Sequence, residues 1–206
     1  MSDRENNEEL FRKDFVEKLK EGFRSGLEQG IRIEEKVKVL KDITILPNRK
    51  SFKLQFGFFE QDIVFYEEGT AIDISNKISD LPFKFTRIEE KGKIVIPLLI
   101  IEIKYGGVDS HQLITYSQIA GDIKNIFPFT KYYLIIRYTS KDKNLLLRHG
   151  KNFDRIVKFK GKDKDIKKYI KGNFAKELKD KELGGEYNLL IKNLKQDIKE
   201  VRKSIT

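Results

Sequence analysis

The sequence predicts an α/β fold, and three observations lead to this class. Residues 94–105 (IVIPLLIIEIKY) form a nearly continuous aliphatic run bounded by glycines, which is too short to span a membrane and is typical of a central strand covered on both faces. Residues 58–66 (FFEQDIVFY) form a second apolar run of strand length. A helical pattern at 110–125 leads into a third such run at 131–138 (KYYLIIRY), which gives a β-α-β unit.

Length and composition limit the kinds of protein this chain can be. Its 206 residues predict one domain, or one domain with an appendage, and 39% hydrophobic and 11% aromatic residues suffice for a sizeable core. The absence of cysteine excludes disulfides, a thiolate zinc site and a cysteine nucleophile, and two histidines are too few for a histidine-rich metal site. Neither a signal peptide nor a membrane span is recognisable, so we expect a cytoplasmic protein that does not bind membranes.

The net charge of +10 is distributed unevenly along the chain. Residues 1–140 contain 22 basic and 22 acidic residues, whereas residues 141–206 contain the remaining 20 basic and 10 acidic ones. We therefore predict a core at 1–140 and a basic, mainly helical region at 141–206 that packs on the core or forms a dimer or DNA contact. The alternative interpretation of the second region is a solvated, lysine-rich helical face.

The elements of the first half follow from periodicity. Apolar residues recur at helical spacing from Glu8 to about Leu27 and predict one amphipathic helix. Alternation predicts a strand over 36–46, a turn at Pro47-Asn48 and a second strand over 51–57, after which Gly57 leads into the strand at 58–66. The irregular insert at 70–93 is longer than a hairpin needs, which is typical of a functional loop; the alternative is a structural cap over the sheet edge.

The second half predicts further helices and one edge strand. Asp109 or Ser110 caps the helix that follows the central strand, and Pro128 ends it. The remaining predicted elements are a short helix from Asn144 to Leu147, an edge strand from Arg155 to Phe159, a lysine-rich helix from Asp163 to Leu183 that Gly184-Gly185 breaks, and a last helix from Glu186 to Ile205 with heptad-like apolar spacing. This last helix packs either on its own domain or on a second copy.

Acidic residues interrupt two of the predicted strands at positions that can meet. Glu102 and Lys104 are two residues apart, so on a strand both side chains leave the same face, where burial is costly unless each has a partner. Asp62 interrupts the strand at 58–66. Asp62 and Glu102 can converge on one Mg²⁺ ion, with the carbonyl oxygen of Ile103 as a third ligand. The alternative is that the strand has reached solvent and carries an ordinary salt bridge.

Residues 52–138 resemble the PD-(D/E)XK nuclease superfamily, which includes most type II restriction endonucleases. Asp62 matches the first acid of the family, with Gln61 where proline is usual, and Glu102 and Lys104 match its E-x-K. The resemblance implies a restriction-endonuclease-like mixed sheet of four or five strands flanked by helices. It also implies Mg²⁺-dependent cleavage of phosphodiesters, with Mn²⁺ as a substitute and DNA as the usual substrate.

Further candidate residues follow from the same resemblance. Gln112 and Tyr116 match a Q-x-x-x-Y pair that lies near the DNA backbone in the exonuclease and RecB-like branch. In restriction-type enzymes, inserts near the active-site strands commonly touch DNA, so the resemblance makes Lys84 and Arg87 of the insert at 70–93 candidate contacts. The family often draws an additional acid from its first helix. The candidates for this acid are Glu28, Glu34 and Glu35, and Glu60 is a candidate for a second ion.

These residues lead to a functional hypothesis with two alternatives. The hypothesis is a homodimeric, Mg²⁺-dependent endonuclease that cuts double-stranded DNA as a type II restriction enzyme does. The alternatives are a structure-specific nuclease resembling Holliday-junction resolvases and a catalytically inactive DNA-binding protein. Lys104 would act either as an electrostatic stabiliser or, if its pKa is lowered, as a base. We expect loss of Glu102 or Lys104 to abolish cleavage while folding is retained.

Overall fold

The computed structural model confirms the α/β class, with a five-stranded mixed sheet flanked by helices. It describes residues 3–24, 30–48, 51–70, 72–73, 93–139, 141–160 and 168–205. Within these ranges, no helix is both long enough and apolar enough to cross a membrane.

Five helices and seven strands make up the described part of the chain. The helices are α1 (Asp3–Gly22), α2 (Ser110–Ile126), α3 (Lys143–His149), α4 (Asn173–Glu177) and α5 (Lys181–Ile205). The strands are β1 (Ile31–Asn48), β2 (Ser51–Glu67), β3 (Ile72–Asp73), β4 (Lys93–Ile94), β5 (Pro97–Lys104), β6 (Lys131–Ile136) and β7 (Arg155–Lys158). The main sheet has the order β1-β2-β5-β6-β7, with β1, β2 and β5 antiparallel and β5, β6 and β7 parallel. Strands β3 and β4 form a separate antiparallel pair.

The central strand β5 is buried along its whole length because helices cover both faces of the sheet. Ile101 and Ile103 point into a core that they share with α1, α4 and α5. Ile100 points into a second core formed with α2 and α3. Because both faces of β5 are buried, all of its side chains before Glu102 can be apolar, which is the continuous aliphatic run seen in the sequence.

Strand β1 begins at Ile31, five residues before the predicted start at Lys36. Lys36 has a φ of 56°, in the left-handed region, and the strand changes face there. Ile33 packs in the core beneath α1, whereas Val37 and Val39 pack in the core beneath α2. A change of face interrupts the alternation of apolar and polar residues along the strand. For this reason the sequence pattern predicts only the part of β1 that begins at Lys36.

Helix α5 runs through Gly184-Gly185, so the predicted break at these glycines is wrong. Asp180 accepts hydrogen bonds from the amides of Glu182 and Leu183, each at 3.0 Å, and so caps a helix that starts before the glycines. A Cβ at position 184 would lie 2.5 Å from the carbonyl oxygen of Leu178, so glycine permits a close approach at this point. The glycines therefore lie in the first turn of one long helix.

We predict that α5 is required for the stability of the fold. Leu194 is fully buried in the core shared with α1 and β5, so Leu194→Ala should lower the free energy of unfolding by about 2–5 kcal/mol. Leu189 lies on the same helix but is 59% exposed, and Leu189→Ala should change it by less than about 0.5 kcal/mol. Urea unfolding of both variants tests this, and equal effects would contradict the described packing.

Candidate active site

The candidate site lies where strands β2 and β5 separate. Their antiparallel pairing runs from Tyr66–Pro97 to Ile63–Ile101 and ends there. The amide of Ile103, which a continued ladder would have bonded to a β2 carbonyl, instead donates to Oδ2 of Asp62 at 2.9 Å. One further step of the same register pairs Asp62 with Glu102, so the end of the ladder brings the two acids side by side.

Lys104 is held by two carboxylates, both of which belong to the site. Its Nζ lies 2.9 Å from Oε1 of Glu102 and 3.0 Å from Oε1 of Glu8. The other oxygen of Glu8 accepts a 3.3 Å hydrogen bond from the amide of Tyr105, which anchors the N-terminal part of α1 to the end of β5. The ammonium also lies 4.5 Å from the centre of the Tyr116 ring, in a cation–π contact.

The pKa values of Glu102 and Lys104 are both raised, but for different reasons. Burial raises the pKa of Glu102 to about 7, and the negative charge of Asp62 adds to the effect while Lys104 opposes it. Burial alone would lower the pKa of Lys104, but the charges of Glu102, Glu8 and Asp62 outweigh it and raise the pKa above its ordinary value. Lys104 is therefore protonated at neutral pH, which favours a stabilising role for it over that of a base.

Two basic residues neutralise Asp62 from the other side. Nζ of Lys36 lies 3.1 Å and Nη1 of Arg12 lies 3.7 Å from Oδ1 of Asp62. Arg12 also donates from Nε to Glu35 at 3.1 Å, and Lys36 lies 3.4 Å from Oε1 of Glu60. In the described site, each carboxylate therefore lies beside at least one basic side chain.

The structure brings some of the predicted site residues together and places others elsewhere. Asp62, Glu102 and Lys104 form one cluster, with Tyr116 against the lysine. Gln112 serves the capping box of α2, because its side-chain oxygen accepts a 3.1 Å hydrogen bond from the amide of Asp109. The predicted residues Glu28, Lys84 and Arg87 lie outside the described residues.

The contacts of Ile103, Glu34 and Gln61 complete the description of the candidate residues. The amide of Ile103 donates a hydrogen bond to Asp62, and the metal contact of its carbonyl oxygen stays a prediction. Glu34 bonds to the hydroxyl of Tyr66, where burial and this hydrogen bond raise the pKa of the tyrosine to about 12. Gln61, at the position where the resembled family usually has proline, is buried and accepts a hydrogen bond from the hydroxyl of Tyr132.

Glu8 and Arg12 were missed in the sequence although a signal for them exists. They are four residues apart on α1 and share the helical face that buries Phe11, Phe15 and Leu19. A carboxylate and a guanidinium on an apolar stripe need partners inside the fold. Glu8 is the acid that the described part of the first helix brings to Lys104.

Asp62 and Glu102 are the residues of the described cluster that could hold a hard divalent cation such as Mg²⁺. No group of three or more His, Asp or Glu side chains within the described ranges forms a cage able to hold a metal on its own. Mg²⁺ is usually bound through one or two carboxylates, with water and substrate phosphate completing the octahedron. Asp62 and Glu102 would supply those two carboxylates.

Comparisons with known proteins add little to this geometry. No family model and no curated protein matches the chain. Among solved structures, the chain is similar to one described as the native BbvCI A2B2 tetramer at low resolution, with 15% sequence identity and a TM-score of 0.39. The similarity covers 58% of this chain and 42% of that chain, so this chain spans less than half the length of the protein it matches. A likeness of this size carries no argument about function.

Proposed function

We propose that this protein is a Mg²⁺-dependent endonuclease of the PD-(D/E)XK type that hydrolyses phosphodiester bonds in double-stranded DNA, in the manner of a type II restriction enzyme. The observation that carries the proposal is the meeting of Asp62 and Glu102, from two adjacent strands, beside the ammonium of Lys104. Two acids and one lysine are the residue types that the PD-(D/E)XK motif requires. Their convergence at an opening in the sheet supports a site for chemistry rather than a surface salt bridge.

Each residue of the cluster would have a distinct part in the reaction. When bound, Mg²⁺ would neutralise charge on the phosphate and activate a water molecule. Asp62 and Glu102 would hold the ion. Lys104, kept protonated by its two carboxylates, would donate hydrogen bonds from Nζ to the oxygens on which charge builds up in the transition state. Glu8 and Tyr116 would fix the direction of the ammonium.

The charge of the chain supports DNA as the proposed substrate, and the symmetry of duplex DNA supports a dimer. The whole positive excess lies in residues 141–206, which suits a polyanion. Cutting both strands of a palindromic duplex requires two sites related by a two-fold axis, so we propose a homodimer. The exposed lysines of α5 are Lys181, Lys192, Lys199 and Lys203.

We predict that incubation of plasmid DNA with the protein and Mg²⁺ gives discrete bands, and that EDTA prevents their formation. Asp62→Asn is the matched control, because it removes the charge of the first acid but keeps the side-chain shape, and it should be inactive. Sequencing the ends of the fragments would define the cut. Preferential cleavage of a branched junction would favour the resolvase-like alternative. Salt-sensitive binding of DNA by a folded protein that does not cleave it in Mg²⁺ or Mn²⁺ would contradict the proposal.

A further inference from the structure

Lys36 is the accessible basic residue beside Asp62 and Glu60. Its Nζ lies 3.1 Å from Oδ1 of Asp62 and 3.4 Å from Oε1 of Glu60. The side chain of Lys36 is 45% exposed, whereas that of Asp62 is only 7% exposed. A nearly buried carboxylate is therefore neutralised by a cation that can leave for water at low cost.

The other two cations of the cluster are not free to leave in this way. Lys104 is 11% exposed and contacts both Glu102 and Glu8, so its departure would leave two acids without their partner. Arg12 is buried and is also held by Glu35. Exchange of a cation at Asp62 is therefore easiest at Lys36.

The backbone of Lys36 gives a second, independent reason to assign it a role. Its φ of 56° is the one positive value found at a non-glycine position in the part of the chain that the structure describes. A lysine in the left-handed region is strained, and such residues persist where surrounding contacts hold them, often at functional sites. The regular pairing of β1 with β2 omits Lys36 and Asp62, and the two side chains meet at this gap.

We propose that Lys36 is the exchangeable counter-ion of the metal site. This inference rests on the proposed function. Lys36 neutralises Oδ1 of Asp62 while no metal is bound, and it releases that oxygen when a divalent cation binds, because the bound cation repels the ammonium that lies 3.1 Å from the same oxygen and that can move into water. The released ammonium remains tethered beside the acids and contacts the phosphate of the DNA strand that enters the site.

Titration of the full-length protein with Mg²⁺ and with Ca²⁺ in the absence of DNA tests the first half of this proposal. Isothermal calorimetry should show that Lys36→Met binds either ion roughly fivefold more tightly than the wild type, because no ammonium has to be displaced. Lys38→Met is the matched control, since it removes the same charge two residues further along β1, and it should change the dissociation constant less than twofold. Glycine adopts the left-handed backbone without strain, so Lys36→Gly removes both the charge and the strain. If the charge is responsible, Lys36→Gly and Lys36→Met should have the same dissociation constant for the ion.

Affinity for a short DNA duplex at saturating Ca²⁺ tests the second half. Lys36→Met should bind the duplex roughly fivefold more weakly than the wild type, and Lys38→Met should bind it like the wild type. A wild-type protein that binds no divalent cation would contradict the proposed function itself. A wild type that binds the ion while Lys36→Met binds it equally or more weakly would overturn only the role of Lys36, as would unchanged DNA affinity.

Discussion

Glu102→Gln should abolish Mg²⁺-dependent cleavage, by ~1,000-fold or more, and should at the same time stabilise the metal-free protein above neutral pH. The amide keeps the shape of the side chain but removes one of the two charges that would hold the ion. The loss of cleavage is measured on plasmid DNA under single-turnover conditions. Activity within tenfold of the wild type would contradict the assigned role of Glu102.

The gain in stability follows from the raised pKa of Glu102. A carboxyl group with a pKa of about 7 in the folded protein, against an ordinary value of 4.5, binds more protons folded than unfolded between those pH values. The wild type should therefore lose stability, relative to the glutamine variant, as the pH rises from about 4.5 to about 7, and the difference should be constant above that. Its size should be on the order of 3 kcal/mol.

Urea unfolding of both proteins in EDTA at pH 4.5, 6 and 8 measures this difference. Because all other titrating groups are common to the two proteins, the comparison isolates Glu102. Equal stability at pH 4.5 and a more stable Glu102→Gln at pH 8 are the expected results. A variant that is less stable than the wild type at pH 8 would show that the ion pair with Lys104 outweighs the cost of burying the carboxylate.

Lys104→Met should also abolish cleavage, but it should destabilise the protein. The sequence alone led us to expect that folding would be retained without this side chain. In the structure, Lys104 is nearly buried between Glu102 and Glu8, so methionine leaves two carboxylates facing each other without a cation. Removing one partner of a buried ion pair costs about 3–5 kcal/mol, and we expect a loss near the lower value because the group retains some contact with water.

A second substitution separates the structural from the catalytic part of this effect. Glu8→Gln in the Lys104→Met background removes one of the two unpaired charges and should restore part of the lost stability. It should not restore cleavage, because the ammonium that would stabilise the transition state is still absent. Thermal unfolding and plasmid cleavage of the two single variants and the double variant provide the measurements. Wild-type activity in either protein that carries Lys104→Met would refute the role of Lys104.

The sequence by itself determined the class of the fold and the central part of the candidate site. The uninterrupted apolar run before Glu102 indicates a strand covered on both faces, and the structure confirms a mixed sheet flanked by helices. The sequence also placed Asp62 and Glu102 on two apolar strands, where they can converge, and the resemblance to a known family assigned them to one site. The class of the fold depends on short-range periodicity, which a sequence displays directly, whereas the meeting of the two acids depends on the pairing of β2 with β5.

Only the tertiary structure decided which further charges surround these acids. Glu8 is separated from Lys104 by 96 residues, and its contact depends on how α1 packs against the end of β5. Lys36 reaches Asp62 because β1 changes face at this residue, whose backbone is in the left-handed region. The change of face interrupts the alternation of apolar residues, so the alternation does not reveal it. The protonation of Lys104 likewise depends on the number of buried acids that meet it in space. Contacts between distant segments depend on packing and desolvation, which no local spacing of residues encodes.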